Sequence, residues 1–543
     1  MRKKLLALLL ALSLGTAGAV AFAGCERVNA GNNPCDGTEN EAGDDTVNNS
    51  GSNSGNEEGG DTGNEPGDNT GNDPDDNVDE TPDPTDGLEF ALNGSGTEYV
   101  VKGLGSATDL DIVIPAFYNG KPVTGIGKNA FYNCKQLTSI LIPDGVTCIG
   151  YGAFNNCLNL TKINIPDGVT DIDSFLFADC WKLKSITIPD SVISIGNDAF
   201  HGCSGLRGIH IPESVESIGN EAFAICYGIE SITVDENNQN FKSESNCLLS
   251  KDGKTLILGC KNSIIPNGVT SIGRGAFYWC LSLNSITIPD GVISIGILAF
   301  HGCSGLESIT LPNSVTTIGN LAFCGCDYIT EINLSDNLTT IAERAFKGCV
   351  RLANLNIPRG VTSIDDYAFN ECSGLESITV DSDNPIYKSE GNCILTKDGE
   401  TLILGCKNSA IPVGVESIGR YAFSGCSGLL NIAIPGSVKS IGENAFMGCS
   451  GLTSIVIPNS VTDICDGAFY DCTNLACITV PDSVTVMGKS IFFRCQSLTD
   501  ICFTGTIEDW ESVDRDENWS LFSGDFIITC TDGKLDKDGK VIE

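Results

Sequence analysis

The chain has 543 residues and a formal net charge of −38, with 70 Asp and Glu residues against 32 Lys and Arg residues. Residues 88–543 alone hold 28 basic and 52 acidic residues, a net charge of −24. An acidic surface of this size repels nucleic acids and anionic lipid surfaces, so the composition argues against nucleic acid as a partner.

Residues 1–24 have the features of an export signal peptide. Arg2, Lys3 and Lys4 precede an apolar run, and small residues end the segment just before Cys25. This ending resembles the lipobox of bacterial lipoproteins, and the resemblance implies that Cys25 carries the lipid and becomes the mature N-terminus. Two alternatives stay open. Cleavage after Ala23 would release a secreted protein, or the apolar run would remain as a membrane anchor.

Residues 25–87 are predicted to form a lipid-anchored, acidic and disordered linker. The segment Glu26–Gly87 holds 18 acidic residues and one basic residue, Arg27, and it contains no aromatic residue. Such a segment buries too little apolar surface to offset its ordering entropy, and its 62 residues span roughly 40–50 Å. A calcium-binding role is disfavoured, because the acidic runs lack the D-x-[DN]-x-[DN]-G spacing of a ligand loop.

The folded part is predicted to begin with an N-terminal cap and a first, atypical repeat over residues 88–133. From there to residue 503 one motif, L-x-x-I-x-I-P-x-x-V-x-x-I-G-x-x-A-F-x-x-C, recurs every 23 residues, as in Leu137–Cys157. A fixed period of this length predicts a solenoid, in which each unit buries its apolar side against its neighbours. The phenylalanine of each A-F pair is predicted to lie in that shared interior.

Each repeat is predicted to contain one strand and one short helix. In Leu183–Pro189, two isoleucines alternate with polar residues, which is the two-residue period of a strand with one buried face. Next, Val192, Ile195, Ala199 and Phe200 follow at spacings of three and four, which favours a helical turn on the opposite side.

The repeat resembles leucine-rich repeats, and more closely the BspA-type subfamily, across roughly Leu110–Phe503. The resemblance implies an α/β solenoid, a leucine-rich repeat superhelix of 23-residue units with a parallel concave sheet and short convex helices. BspA-type proteins are associated with adhesion to host matrix proteins and with coaggregation between cells, so the resemblance also implies a binding function.

Two insertions interrupt the period, near residues 235–264 and 381–410. Each carries a Lys-Asp-Gly turn between two β-prone runs and is predicted to form a β-hairpin. The hairpins are either a contact surface or padding on the flank of the solenoid. Residues 504–543, with Trp510 and Trp519, are predicted to form a C-terminal cap.

The 26 cysteines invite a disulfide interpretation in an exported protein. However, the motif cysteines share one slot of the repeat, and a free cysteine fits such a slot as a small buried side chain. Disulfides within the hairpins, Cys247 with Cys260 and Cys393 with Cys406, are less favoured, because the partners lie one diagonal apart. With only three histidines and no C-x-x-C pair, neither a metal site nor a cofactor is expected.

No catalytic motif is present in the sequence, and we expect the protein not to be an enzyme. His201 and His301 occupy the same slot of two HGCSGL segments, so they are interpreted as outer residues of the repeat and not as general bases. A secreted hydrolase remains the least favoured alternative, since carboxylate pairs are not excluded.

The strand residue between the two isoleucines is predicted to point to the concave face. Its column is rich in hydroxyl and amide side chains, which suits many weak hydrogen bonds to an extended protein or glycan; threonine is also simply a good strand former. The predicted ligand-binding column, called the polar column below, is Thr187, His210, Thr233, Thr287, Thr310, Asn333, Asn356 and Thr379.

Taken together, these features predict a monomeric adhesion protein that is lipid-anchored on a bacterial cell surface and binds an extracellular protein or glycan. The alternative is a structural or scaffold protein of the envelope with no host ligand.

Overall fold

A computed structural model describes residues 82–542, in which the chain forms a parallel-strand solenoid. The export segment, Cys25 and the acidic segment up to residue 81 lie outside the described residues. Equivalent residues of successive 23-residue turns pair in parallel, as Ile209 does with Ile232. Within 82–542, no helix combines the length and apolar character that crossing a membrane requires.

The L-x-x-I-x-I-P segments form a first ladder of parallel strands. Ile209 is buried whereas His210 beside it is exposed, which is the alternation that the sequence predicts. Residues 185–188, 285–288 and 431–434 occupy the same place in their repeats without forming strands. The strands of the first ladder are Asp111–Val113, Ser139–Leu141, Lys162–Ile163, Gly208–Ile211, Ser231–Val234, Ser308–Thr310, Glu331–Asn333, Asn354–Ile357, Ser377–Val380, Ser454–Val456, Cys477–Val480, Asp500–Phe503 and Ile527–Thr529.

The x-I-G segments form a second ladder, made almost entirely of two-residue strands. Ser194–Ile195, for example, pairs with Asp171–Ile172 on one side and with Ser217–Ile218 on the other. The strands of the second ladder are Lys121–Ile126, Cys148–Ile149, Asp171–Ile172, Ser194–Ile195, Ser217–Ile218, Ser271–Ile272, Ser294–Ile295, Thr317–Ile318, Thr340–Ile341, Ser363–Ile364, Ser417–Ile418, Ser440–Ile441, Asp463–Ile464, Val486–Met487 and Asp514–Arg515.

Between the second ladder and the motif cysteine, each repeat forms consecutive turns where the sequence predicts a short helix. The Phe200 amide donates to the Ala222 carbonyl of the next repeat at 2.8 Å, whereas the Cys203 amide donates locally to the Phe200 carbonyl at 3.0 Å. Asp198 and Gly202 have φ values of 53° and 71°, in the left-handed region. Two such residues within five positions prevent a right-handed helix, so the helix prediction is wrong.

The predicted phenylalanine column is confirmed. Twelve of these phenylalanines are less than 2 % exposed, and neighbouring rings stack with centroids 5.0–5.9 Å apart. The column is broken between Phe223 and Phe277 and between Phe369 and Phe423, where the insertions lie. The buried residues therefore form three cores in succession along the solenoid.

Each insertion is a three-stranded antiparallel unit whose third strand joins the sheet of the second ladder. Leu248 packs into the first core and the adjacent Leu249 into the second, so both faces of their strand are buried. The insertions therefore hold more than the two predicted hairpin strands, and they contribute to the cores on both sides instead of padding the flank of the solenoid. Their strands are Phe241–Glu244, Cys247–Ser250 and Thr255–Leu258 in the first and Tyr387–Glu390, Cys393–Thr396 and Thr401–Leu404 in the second.

A cap covers each end of the repeats. At the N-terminus, Glu89–Leu92, Tyr99–Gly103 and Phe117–Tyr118 extend the sheet of Lys121–Ile126. At the C-terminus, the helix Ile507–Ser512 begins with a capping box between Thr506 and Asp509 and buries Trp510. It is the only helix of residues 82–542. The sheet then ends with the strands Lys534–Asp536 and Val541–Ile542.

Candidate functional site

All eight residues of the polar column are exposed. The alternation along each strand explains this result, because the flanking isoleucines are held in the core and leave the residue between them on the outer surface. Ile309 is 1 % exposed and Leu311 3 %, while Thr310 between them is exposed. The side chains of the column are therefore free to change without disturbing the packing beneath.

The structure brings six residues of the polar column together as three hydrogen-bonded pairs. His210 Nδ1 lies 3.0 Å from Thr233 Oγ1 in the paired strand. Asn333 Nδ2 donates to Thr310 Oγ1 at 3.3 Å. In the last pair, Thr379 Oγ1 donates to Asn356 Oδ1 at 2.9 Å and lies in register with it.

The remaining two residues, Thr187 and Thr287, stand in repeats whose first-ladder segment is not a strand. The first insertion also separates Thr233 from Thr287. The column is therefore a series of short polar patches, not the continuous sheet face that the sequence predicts. Exposed apolar side chains occupy the same slot on either side of the polar column: Leu141 is 43 % exposed and Val456 is 63 % exposed.

The first-ladder face carries a local cluster of cations flanked by carboxylates, a feature that the sequence analysis missed. Exposed Lys162, Lys184 and Arg207 come from three successive repeats, all before the first insertion. The same two slots hold exposed carboxylates on both sides of this cluster, at Asp111 and Glu230 before the insertion and at Glu307, Glu331 and Glu376 beyond it. Aligning the repeats slot by slot would have found this pattern, which no single motif shows.

A cleft of about 200 Å³ opens in the first ladder among these cations. Its walls are residues 161–165 of one repeat and 185–187 of the next, so Lys162, Asn164 and Thr187 line it. The Asn164 carboxamide accepts from the Ile142 amide at 2.8 Å and donates to the Ile142 carbonyl at 2.7 Å. These bonds tie Asn164 to the repeat before it. The ladder opens on the other side of Asn164, because residues 185–188 of the next repeat form no strand.

The motif cysteines from Cys157 to Cys495 are buried free thiols, as predicted. In eleven of these repeats the thiol also donates to the phenylalanine carbonyl of an earlier repeat, as Cys203 Sγ does to Phe177 at 3.1 Å. Burial raises the pKa of the Cys157 thiol to about 12, so it stays protonated at neutral pH. A protonated thiol is neither a nucleophile nor a metal ligand, which leaves these cysteines a structural role.

The four cysteines of the insertions, Cys247, Cys260, Cys393 and Cys406, are also free and buried. The Ser263 hydroxyl donates to the Cys260 sulfur at 3.7 Å. The less favoured disulfides are therefore absent here, and the thiols serve packing. Burial raises the pKa of Cys247 to about 11.

His201 and His301 share one slot but differ in their surroundings. Burial alone would lower the pKa of His201, but Asp198, Asp179 and Glu221 outweigh it and raise that pKa. His201 Nδ1 lies 3.1 Å from Asp198 Oδ1. Burial, with a smaller contribution from Lys347, lowers the pKa of His301 to about 4. Neither histidine lies near the polar column slot, and no group of three or more metal-binding side chains occurs within 82–542.

The family described as the BspA-type leucine-rich repeat region matches residues 124–249, 259–389 and 404–513, in six copies. These ranges cover more than half of the chain. The protein belongs to the BspA-type leucine-rich repeat family. No curated protein sequence matches the chain significantly.

Solved structures of bacterial leucine-rich repeat proteins are similar to this BspA-type chain. A leucine-rich repeat protein of Bacteroides ovatus shares 25 % identity over 82 % of this chain and 98 % of its own, with a TM-score of 0.37. A leucine-rich cell surface protein of Faecalibacterium prausnitzii shares 23 % over 80 % and 97 %, with a TM-score of 0.39. The pneumococcal vaccine antigen PcpA shares 16 % over 82 % and 98 %, with a TM-score of 0.38.

Proposed function

We propose that the protein is a binding and adhesion protein displayed on a bacterial cell surface, where the first-ladder face holds an extracellular protein or glycan. The observation that carries the proposal is the exposure of all eight residues of the polar column above apolar side chains that are buried or half-buried. Polar side chains at a fixed spacing on a rigid core lose little conformational freedom when they bind, which favours association.

The display on the cell surface rests on the first 87 residues. Cys25, directly after Ala-Gly at the end of an export signal, would carry the lipid, and the acidic segment would hold the solenoid away from the membrane. Membership of a repeat family of binding scaffolds supports a non-catalytic role. The buried, protonated cysteines support it as well, since they cannot serve as nucleophiles.

The test is a capture experiment with cells that express the full chain, using immobilised host matrix proteins, mucin and neighbouring bacteria. Thr310→Ala, Asn333→Ala and Asn356→Ala together are expected to weaken capture by tenfold or more. A matched control replaces three second-ladder side chains of neighbouring turns: Ser294→Ala, Thr317→Ala and Thr340→Ala are expected to leave capture within twofold of the wild type.

Equal capture by both triple variants would contradict the assignment of ligand binding to the first-ladder face. Wild-type cells that capture nothing from the whole panel would contradict the binding function and favour the envelope scaffold. Cys25→Ala is expected to move the capture activity from the cells to the medium. Capture that stays on the cells in this variant would contradict the lipid anchor.

A further inference from the structure

We infer that the open repeat of the first ladder, at residues 161–187, is a binding site for an acidic polysaccharide, one whose sugar rings carry carboxylate or sulfate groups. The inference rests on the proposed function of the first-ladder face and names a ligand class for one part of it. Three observations carry it: an opening in the ladder, a local excess of positive charge, and polar side chains of the kind that bind sugar hydroxyls.

The opening supplies space and hydrogen-bonding groups. Residues 185–188 pair with neither neighbouring strand among the described residues, so their backbone groups face the cleft or solvent. The cleft of about 200 Å³ is also lined by Thr161, Asn164, Ser185 and Thr187. Hydroxyl and amide groups both donate and accept hydrogen bonds, which is the chemistry that hydroxyl groups of a sugar ring require.

The local charge is positive although the protein is acidic. Within residues 82–542, neither Lys162 nor Lys184 has an ion-pair partner. Arg207 lies 3.6 Å from Glu230, but that carboxylate is also held by Lys261 at 2.8 Å. Among the described residues, Glu230 is thus the one carboxylate that forms an ion pair with any of these four cations.

The acidic residues near these cations are bonded to other side chains or lie at the far end of the repeat. Asp111, two strands from Lys162, accepts from the hydroxyl groups of Thr138 and Ser139, and Asp179 accepts from Trp181. Asp167 and Asp190 follow the prolines at the other end of the first-ladder segments. Lys184 and Asp190 are six residues apart along extended chain, a separation of roughly 18–20 Å. Since physiological salt screens exposed charges beyond about 8 Å, an anion in the cleft responds mainly to the nearby cations.

The size of the patch favours an acidic polysaccharide over a nucleic acid. Three successive repeats span about 10 Å, because neighbouring strands lie about 4.8 Å apart. This length suits one or two charged sugar units, whereas nucleic acids are bound by cations along many phosphates. The repeat that holds Lys184 also exposes Trp181, which is 47 % exposed and whose indole Nε1 donates to Asp179 at 3.1 Å.

The experiment measures binding of the full chain to polygalacturonate and to dextran sulfate, with methyl-esterified pectin, neutral dextran and single-stranded DNA as comparison probes. Binding to at least one acidic polysaccharide is expected. The affinities for its neutral counterpart and for DNA are expected to be at least tenfold lower. Lys162→Ala, Lys184→Ala and Arg207→Ala together are expected to weaken this binding by tenfold or more. The carboxylate and sulfate probes separate the two kinds of anionic sugar.

A matched control triple, Lys388→Ala, Lys439→Ala and Lys489→Ala, removes the same charge elsewhere and is expected to change the affinity less than twofold. Equal losses in the two triple variants, or DNA binding as tight as that of the polysaccharide, would overturn the inference. A failure of protein capture with polysaccharide binding intact would refute only the protein part of the proposed function. Protein capture without polysaccharide binding would refute only the present inference.

Discussion

At the residue scale, the least visible feature of the sequence is the pair of left-handed residues in every complete repeat. The slots are filled by Asp198 and Gly202 in one repeat and by Leu298 and Gly302 in another, with φ values between 53° and 71°. Leu298 and Trp279 are unusual in this region, because their Cβ atoms crowd the backbone there. Glycine marks only part of these slots, so the sequence favours a helix where turns form.

The residues that face the core could be predicted from the sequence, because burial alone determines which residue types fill their slots. The phenylalanine and cysteine slots are filled by the same residue types in nearly every repeat, and the polar column follows from the two-residue period of a strand. The thiol bond to a phenylalanine carbonyl could not be predicted from this spacing. Its partners, such as Cys203 and Phe177, are 26 residues apart, and only the three-dimensional stacking of the turns brings them together.

His201 and His301, which occupy the same slot in two repeats, predict how the free energy of unfolding depends on pH. The pKa of His201 is expected to exceed the ordinary 6.5, and that of His301 to be about 4. The stabilisation from His201 is present below pH 6.5 and is lost as the pH rises through its folded-state pKa. His301 acts in the opposite direction. The unfolded chain takes up its proton first, so the free energy of unfolding falls by up to roughly 3 kcal/mol as the pH drops from 6.5 to 4.

Nuclear magnetic resonance titration of the imidazole signals checks this order, and the chain has only three histidines to assign. Exchanging the neighbouring side chain gives the matched controls. Leu298→Asp is expected to raise the pKa of His301, and Asp198→Leu to lower that of His201. Equal pKa values for His201 and His301 in the wild type would contradict this prediction.

At the element scale, the insertions differ most from what the sequence predicts. A Lys-Asp-Gly turn between β-prone runs reveals a hairpin, but it does not reveal which neighbour the hairpin pairs with. The deciding contacts are long-range: Thr255–Leu258 pairs with the second ladder, and Gly259 takes the place of a phenylalanine ring. The Gly259 amide donates to the Ala276 carbonyl at 2.8 Å, as the phenylalanine amides of other repeats do to theirs.

Gly259→Ala is expected to destabilise the protein by about 1–3 kcal/mol, the usual cost of overpacking a buried site. A Cβ atom at Gly259 would lie only 2.2 Å from the Phe277 ring, so the ring or the backbone must move. The control is Gly268→Ala, in a turn where no atom lies within 4 Å of the new Cβ. Denaturant unfolding measures both, and equal midpoints for the two variants would show that Gly259 is not a packing contact.

The first-ladder face shows the limit of prediction from spacing at this scale. Alternation identifies which side chains point outward, and all eight predicted residues do. It does not identify where the ladder opens, because residues 185–188 match the repeat motif as well as the paired strand Ser231–Val234 does and yet form no strand.

At the scale of the whole molecule, the 23-residue period predicts the solenoid correctly but not its division into three cores. The first and third cores share no residue, and the two inserted units lie between them. In a repeat protein, stability is approximately a sum of local and nearest-neighbour contributions, so damage in one core need not spread.

Phe446→Ala is expected to destabilise its own core by about 3–5 kcal/mol, because the ring is fully buried between Phe423 and Phe469. Hydrogen exchange should accelerate within residues 411–495 and remain unchanged within residues 110–226. Phe154→Ala, in the first core, should give the reverse pattern. Faster exchange along the entire chain in either variant would mean that the solenoid unfolds as a single unit.

In eleven repeats the hydrogen bond from the motif thiol runs one way, from a repeat to the phenylalanine carbonyl of the repeat before it. Every interior module thus offers the same groups to whichever module precedes or follows it. A gene that gained or lost 69 bases would lengthen or shorten the rod by one turn and leave every junction intact. The length of the solenoid can therefore be adjusted by recombination between copies, without new stabilising contacts at each step.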